Sequence, residues 1–279
     1  MTTAQAALLR PGEALSKRPS PMWTRSFRYF LVLYRWTWKS SLALNFIYPV
    51  LYVTAMGVGL GGLVNHHLAA SRAAALGGIP YLAFIAPGVL VSSAMQIGVE
   101  ESTWPVYGAT NWGRAYMAML TTPLRVADVF YGHLAFMVAR LATTTAIFLS
   151  VIAAFGAIRS PEALAAWPIG ILVGMSFATP VAALSITRRN DAAFSILNRL
   201  VVVPLFLFSG SFFPIAQLPR FLQFVALATP LYHGVALARA ATLGHLASPV
   251  MLVHVAYLVA LFAIGLVVAR RNFERRLRQ

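Results

Sequence analysis

The sequence of 279 residues is 59% hydrophobic and only 10% charged, with a mean hydropathy of +0.73. Ordinary soluble domains carry about 25% charged residues, so this chain cannot cover a water-facing surface in the usual way, and it reads as a polytopic membrane protein. Its net charge of +15 then reports cationic loops beside anionic lipid rather than nucleic-acid binding, and the lack of cysteine excludes disulfides, thiolate metal sites and a cysteine nucleophile.

Residues 1–22 contain Arg10, Glu13, Lys17, Arg18 and three prolines without a long apolar stretch, which reads as a disordered cytoplasmic tail and not as a cleaved signal peptide. Residues 23–279 read as a single transmembrane domain. It opens on Trp23–Lys39, the clearest amphipathic element. On a helical wheel Phe27, Leu31, Tyr34 and Trp38 fall within about 60° of arc, while Arg25, Arg28, Arg35 and Lys39 gather about 80° to 160° away. A helix along the cytoplasmic membrane surface is expected, serving either as a simple basic anchor for the first span or as a mechanical element.

A bilayer core needs about 20 apolar helical residues, and stretches without Asp, Glu, Lys or Arg place six spans. They are Leu42–Val64, Pro80–Val99, a third from near Phe130 to Ile158, Ala163–Thr187, Leu200–Pro219, and a sixth from near Pro249 to Ala269. Between the second and third, Trp104–Pro105 is expected to break the span and Asn111 to cap a short helix over Trp112–Leu120. Pro123 would end that helix, and Asp128 would sit near the start of span three. Such a helix, held between two spans, is able to take force from a partner; an ordinary structured loop is the plainer reading. Between spans five and six, Phe212–Leu246 is apolar yet rich in Pro and Gly, which predicts two short helices near Pro219–Ala228 and His233–Thr242, re-entering the outer leaflet. Arg220 and Arg239 would snorkel to the outer interface.

With the N-terminus inside, 17 of the 22 Lys and Arg fall on the cytoplasmic side and four outside, with Arg140 near the inner face. That bias fixes both termini in the cytoplasm. Charges at membrane depth cost about 2.5–3.5 kcal/mol each on insertion scales, which singles out Glu100, Glu101 and Arg140. Glu101 is expected at the hydrated interface; Glu100 is the candidate to pair with Arg140 or another arginine, and the plainer reading leaves all three charges hydrated at that interface. The histidines His66, His67, His233, His245 and His254 are scattered without carboxylate or cysteine company, so they read as interfacial residues and not as a metal site.

Several stretches resemble permease subunits of ABC type-2 exporters, in the branch of nodulation-factor and daunorubicin-resistance transporters. They are YLAFIAPGVLVSSAM at 81–95, Glu100–Glu101 with the aromatic turn that follows, AYMAMLTTPLRVADVFYGHL at 115–134, and LFLFSGSFFPIAQLPRFLQFVALATPLYHGVALAR at 205–239. The likeness extends over nearly all of residues 25–272. It implies an interfacial helix carrying Phe27, Arg28, Leu31, Tyr34, Arg35 and Trp38. It also implies a coupling helix whose ATPase-facing segment includes Asn111, Trp112, Arg114, Tyr116, Met119, Thr122, Pro123 and Arg125, and re-entrant helices before span six. The partners implied are two copies of an ABC ATPase and a second permease chain, identical or homologous, in the bacterial inner membrane among its lipids.

No GxxxxGK[ST] phosphate loop occurs in the sequence, so ATP and Mg are expected on the partner ATPase and no cofactor, metal or catalytic residue on this chain. The expected function is export of a hydrophobic or amphipathic compound such as a lipid, glycolipid or drug. A membrane-embedded lipid-modifying enzyme and an ion-coupled transporter are the alternatives. With only seven acids, the chain lacks the acid clusters of the first and the midplane carboxylates of the second.

Overall fold

The computed structural model describes residues 22–60 and 79–278, which are helical almost throughout. The expected N-terminal tail, His66, His67, Arg72 and the last residues of the expected first span lie outside the described residues. Among the described residues, five helices are long and apolar enough to cross a membrane, or six if a bent pair counts as one span. The chain runs through α1 (Trp23–Tyr34), α2 (Trp38–Val53, widening into a π-helical stretch at Thr54–Leu60), α3 (Tyr81–Asn111), α4 (Ala115–Leu120) and α5 (Val126–Ala154). A 3-10 turn at Pro161–Ala165 then leads into α6 (Ala166–Ser185), followed by α7 (Ala192–Leu197), a π turn at Asn198–Val202 and α8 (Val203–Phe208). The last elements are α9 (Arg220–Leu227), α10 (Pro230–Leu243) and α11 (Val250–Leu277).

Helix α3 is the axis of the bundle, with α5, α6 and α10 packed around it and α11 covering α6. It runs 31 residues through Pro87 and Pro105 without the break expected at Trp104–Pro105. Proline removes one backbone hydrogen bond, but a helix at membrane depth has no water to bond to if it unwinds. Hydroxyls add bonds of their own to the backbone of this helix, without replacing the one that each proline removes: Ser102 donates to the Gly98 carbonyl at 2.5 Å, Thr103 to that of Glu100 at 3.1 Å and Thr110 to that of Val106 at 2.7 Å. Where α3 crosses α6, Gly98 lies against Gly174, and a Cβ on Gly98 would collide with the Gly174 carbonyl. Small residues at such crossings let membrane helices approach backbone to backbone.

Two apolar cores follow the axis. One end of the bundle, here the basal end, packs Phe30, Tyr116, Val129, Phe130, Met137 and Phe273. The other, distal end packs Ile85, Leu90, Phe148, Ile152, Val173 and Leu231.

The expected fifth span differs: its apolar helical stretch begins eight residues earlier, because Arg199 is accommodated inside the helix, and it stops at Phe208, where Gly210 (φ +81°) turns the chain, which leaves it shorter than the five long helices. The expected re-entrant helices are present as α9 and α10, bent 79° from one another. Thr229 caps α10 by accepting from the Tyr232 amide at 3.4 Å, and Gly244 (φ +84°) ends it. Arg239 does not snorkel. Its guanidinium turns inward, stacks 3.7 Å from the centre of the Phe84 ring, and donates to the carbonyls of Phe84 (3.1 Å) and Gly210 (2.9 Å). An arginine fork held by two carbonyls and a ring is better satisfied there than in lipid.

The amphipathic element is also shorter than expected. Helix α1 ends at Tyr34, a turn over Arg35–Thr37 follows, and Trp38 and Lys39 belong to α2. No glycine or proline makes this break. Instead the Thr37 amide (2.9 Å) and hydroxyl (3.3 Å) both bond back to the Tyr34 carbonyl, the local bonding by which threonine competes with helix continuation.

Candidate functional site

At the basal end, α1, α4 and the first turns of α5 form one assembly. Helix α4 is a single six-residue piece. It starts at Ala115 and not at Trp112, because Arg114 adopts a left-handed backbone (φ 45°) that reverses the chain before the helix. Asn111 is therefore no cap. It is the last residue of α3, and its amide reaches the carbonyls of Tyr107 (3.2 Å) and Arg188 (3.4 Å). Tyr107 reinforces this strap by donating to the Arg189 carbonyl at 3.1 Å. Trp112 packs against Trp104 and Tyr107, with ring centres 5.9 and 5.4 Å away, and stays 65% exposed on its outer side.

The expected coupling residues divide into two sets. Arg114, Thr122, Pro123 and Arg125 are exposed, as are Met117 and Thr121 beside them. Tyr116 and Met119 face inward and are buried, which corrects their expected place in an ATPase-facing segment. Spacing of three places them on one side of the helix, where they hold α4 to the bundle. The Arg125 amide donates to Asp128 at 3.0 Å, so Asp128 closes the first turn of α5 as the sequence suggests.

Tyr116 is fully buried, its hydroxyl bonded to His133 Nδ1 on α5 and its ring 5.6 Å from Phe273 on α11. Burial pushes the Tyr116 hydroxyl well above its ordinary pKa of 10.0, so it remains a proton donor. The His133 ring stacks on Phe30 of α1 at 4.3 Å. Ser26 of α1 donates to the Val129 carbonyl (3.4 Å) and touches the Met119 sulfur (3.7 Å). Gly132 permits this approach, since a Cβ there would lie 2.5 Å from that of Ser26. Two turns along α5, Arg140 donates its Nε proton to Glu101 Oε1 at 2.9 Å, with its Cζ 4.6 Å from the Tyr34 ring.

Of the expected face of the interfacial helix, Phe27 and Tyr34 are half-buried against α5, but Leu31 and Trp38 are exposed, as are Arg28 and Arg35. The buried line is Ser26 and Phe30, rotated by about one residue from the hydrophobic stripe because Ser26 must meet Gly132. Sequence reasoning missed Ser26, Gly132 and His133. The spacing of His133, Phe136 and Arg140, 3 and 4 residues apart on one helix face, was the available signal.

The acidic pair is also reversed from expectation: Glu101 holds Arg140, while Glu100 is exposed beside Tyr48, Gln96 and Asn198 in a notch between α2, α3 and the π turn. His233 and His254, expected to be scattered, meet with Nδ1 atoms 2.6 Å apart between α10 and α11. Among the described residues no three His, Asp, Glu or Cys side chains come together.

The family description "ABC-2 type transporter" matches residues 23–243, from the first residue of α1 to the last of α10. The chain belongs to the ABC-2 type transporter family. This ABC-2 membrane subunit is 30% identical over 272 residues to nodulation protein J of Rhizobium leguminosarum bv. trifolii, covering 95% of this chain and 99% of that protein. It is 28% identical to nodulation protein J of Rhizobium leguminosarum bv. viciae, over 85% of this chain and 91% of the relative. With nodulation protein J of Rhizobium meliloti (strain 1021) it shares 28% over 78% of this chain and 79% of that protein. The chain is thus a membrane-spanning transport component of bacterial type, and α1, α4 and α5 of the basal assembly lie within the family match.

Proposed function

We propose that this ABC-2 subunit is the permease half of an exporter that moves a hydrophobic or amphipathic compound, such as a lipid, glycolipid or drug, out of the cytoplasm. Energy comes from a separate ATPase subunit, present in two copies and carrying the ATP and Mg, while a second permease chain, identical or homologous, completes the pathway. The basal end faces the cytoplasm of a bacterial inner membrane, with both termini on that side. The clustering there of Arg114, Arg125, Arg188 and Arg189 with the arginines of α11 supports this orientation.

The observation that carries the reading is the two-faced form of α4. Its outer side offers Arg114, Met117, Thr122 and Arg125 to a partner, while its inner side is fixed to α5 and α11 through Tyr116 and to α1 through Met119. A push on α4 is therefore delivered to three other helices at once. Long cationic side chains at the rim of such a contact steer and register the partner.

The test is purification of the full chain with its ATPase and measurement of ATPase stimulation and transport in vesicles. Arg114→Glu and Arg125→Glu are expected to lower stimulated ATPase activity and transport at least five-fold with insertion intact. Undiminished transport in both variants would remove α4 as the site of coupling, and permease that never associates with an ATPase would remove the exporter reading. Since the chain lacks cysteine, single cysteines at Arg114 and Ser160 report, without background, which end of the bundle faces the cytoplasm.

A further inference from the structure

Helix α10 is held differently at its two ends. At its C-terminal end the ties are backbone bonds: the Arg159 amide donates to the Thr242 carbonyl at 3.0 Å, and the Leu246 amide to Glu162 Oε2 at 3.0 Å. At its N-terminal end the ties run to α11 through rings. His233 of α10 and His254 of α11 meet through their Nδ1 atoms at 2.6 Å, and the His233 ring stacks on that of Tyr257 with centres 4.1 Å apart. The Tyr257 hydroxyl in turn donates to the Ala228 carbonyl at 2.7 Å, in the bend between α9 and α10. The histidine pair and Tyr257 thus join the bent pair of helices to the first turns of α11 at the distal end.

The histidine contact has a proton limit that holds whichever tautomers are present. A neutral imidazole has one N–H and one bare nitrogen, and an imidazolium has N–H at both. Two nitrogens 2.6 Å apart share one proton and no more, so at least one facing Nδ1 is bare. The contact accommodates two neutral rings, or one neutral ring and one imidazolium. Two imidazoliums would set N–H against N–H and charge against charge. The surroundings do not offset a second charge. The side chains against the two rings are Tyr232 and Tyr257, and among the described residues no carboxylate joins the two histidines. Helix α6, packed on both α10 and α11, has no titratable side chain, and the distal halves of α3 and α5 bring only Tyr81. Arg239 is turned to Phe84, Glu162 lies at the opposite end of α10, and Arg220 is exposed at the start of α9.

We propose that His233 and His254 form a proton-operated latch. Near neutral pH it ties the bend between α9 and α10 to α11. When both rings carry a proton on Nδ1 the contact parts, and the bent pair is released from the first turns of α11. Histidine is the side chain whose charge changes between about pH 5 and 8, and in a coupled pair the second proton is taken up at more acidic pH than the first. Release is therefore an acid response. With the basal end in the cytoplasm, as proposed above, the latch reads the pH of the opposite side of the membrane. The chemistry of the contact itself is independent of that orientation and of the ATPase.

The test is pulsed electron paramagnetic resonance on the full chain in mild detergent. Because the chain lacks cysteine, spin labels on Phe224→Cys of α9 and Leu252→Cys of α11, both at exposed positions, report the distance between the bent pair and α11. From about pH 7.5 to about pH 4.5 the distance distribution is expected to broaden and move to longer values, reversibly. Glutamine carries both a donor and an acceptor and takes up no proton. His254→Gln therefore keeps a bond to His233 in either protonation state and should hold the neutral distance at both pH values, as should His233→Gln. His245→Gln, at an exposed histidine outside the contact, should respond as the wild-type chain does. Acid effects on Glu162 are common to all these chains and cancel in the comparison. A wild-type distribution unchanged at the acid end, or one that changes equally in both latch variants, overturns the proposal. Orientation is read separately from the cysteines at Arg114 and Ser160, so a failed latch and a wrong orientation are distinguishable.

Discussion

Arg140 of α5 reaches across to Glu101 of α3, Nε to Oε1 at 2.9 Å, and neither side chain is more than 16% exposed. An ion pair so withdrawn from water is costly to split, because the survivor keeps its charge without its partner. Arg140→Gln or Glu101→Gln alone is therefore expected to destabilise the protein by about 2–4 kcal/mol, read as a lowered melting temperature in detergent. The double variant should recover most of that loss. Equal losses in the single and double variants would show that the two residues act separately.

Tyr116 supplies a second prediction. Removing its hydroxyl leaves His133 Nδ1 buried and unpaired, at a cost of about 1–3 kcal/mol, so Tyr116→Phe should melt earlier and stimulate its ATPase less, with normal insertion. The pH dependence has a defined sign. Folding raises the hydroxyl's pKa above 10.0, so its contribution is fully present below pH 10 and is lost as pH rises through the folded value. The wild-type chain should lose stability faster above pH 10 than Tyr116→Phe. Ultraviolet titration should find one more tyrosine ionising only on unfolding in the wild-type chain than in Tyr116→Phe. Parallel alkaline melting curves would contradict the assignment.

The contact between Gly132 and Ser26 is steric, and it can be tested as such. A methyl group at Gly132 lies 2.5 Å from Ser26 Cβ and 2.7 Å from the Trp23 carbonyl. Gly132→Ala should lift α1 and cost about 1–3 kcal/mol. Adding Ser26→Gly should restore part of it and not all, since the backbone carbonyl remains. A thermal melt of the three variants decides this; full rescue, or none, would mean the approach differs from the one described.

At the distal end, Arg239→Lys keeps the charge but cannot reach the Phe84 and Gly210 carbonyls together or lie flat on the Phe84 ring. A loss of about 1–2 kcal/mol is expected, with faster proteolysis in the Ser209–Pro219 segment. A lysine variant indistinguishable from wild type on both measures would reduce Arg239 to a surface cation.

Much of this architecture is legible from periodicity and punctuation. Charge-free stretches locate the long helices, and Pro219, Pro230 and Gly244 mark the bent pair, because prolines and glycines act locally. What escapes is set by tertiary partners. Pro105 reads as a break, yet α3 continues, because Pro105 faces outward while Ser102, Thr103, Val106 and Tyr107 on either side of it are buried against the bundle. Glu100 and Glu101 are adjacent in sequence but about 100° apart around α3, so only the placement of α5 decides which meets Arg140. Tyr116 and Met119 look like surface residues of a short loop helix until α1 and α11 cover them. His133 shows only its helical spacing from Phe136 and Arg140; its role arises from three helices converging on one ring.

The backbone contact of Gly98 with Gly174 has a mechanical corollary. With no side chain between them, α3 and α6 meet backbone to backbone at this crossing. Any residue larger than glycine at Gly98 must therefore push the two helices apart, so the closeness of the bundle axis to α6 is set by the absence of a single carbon atom.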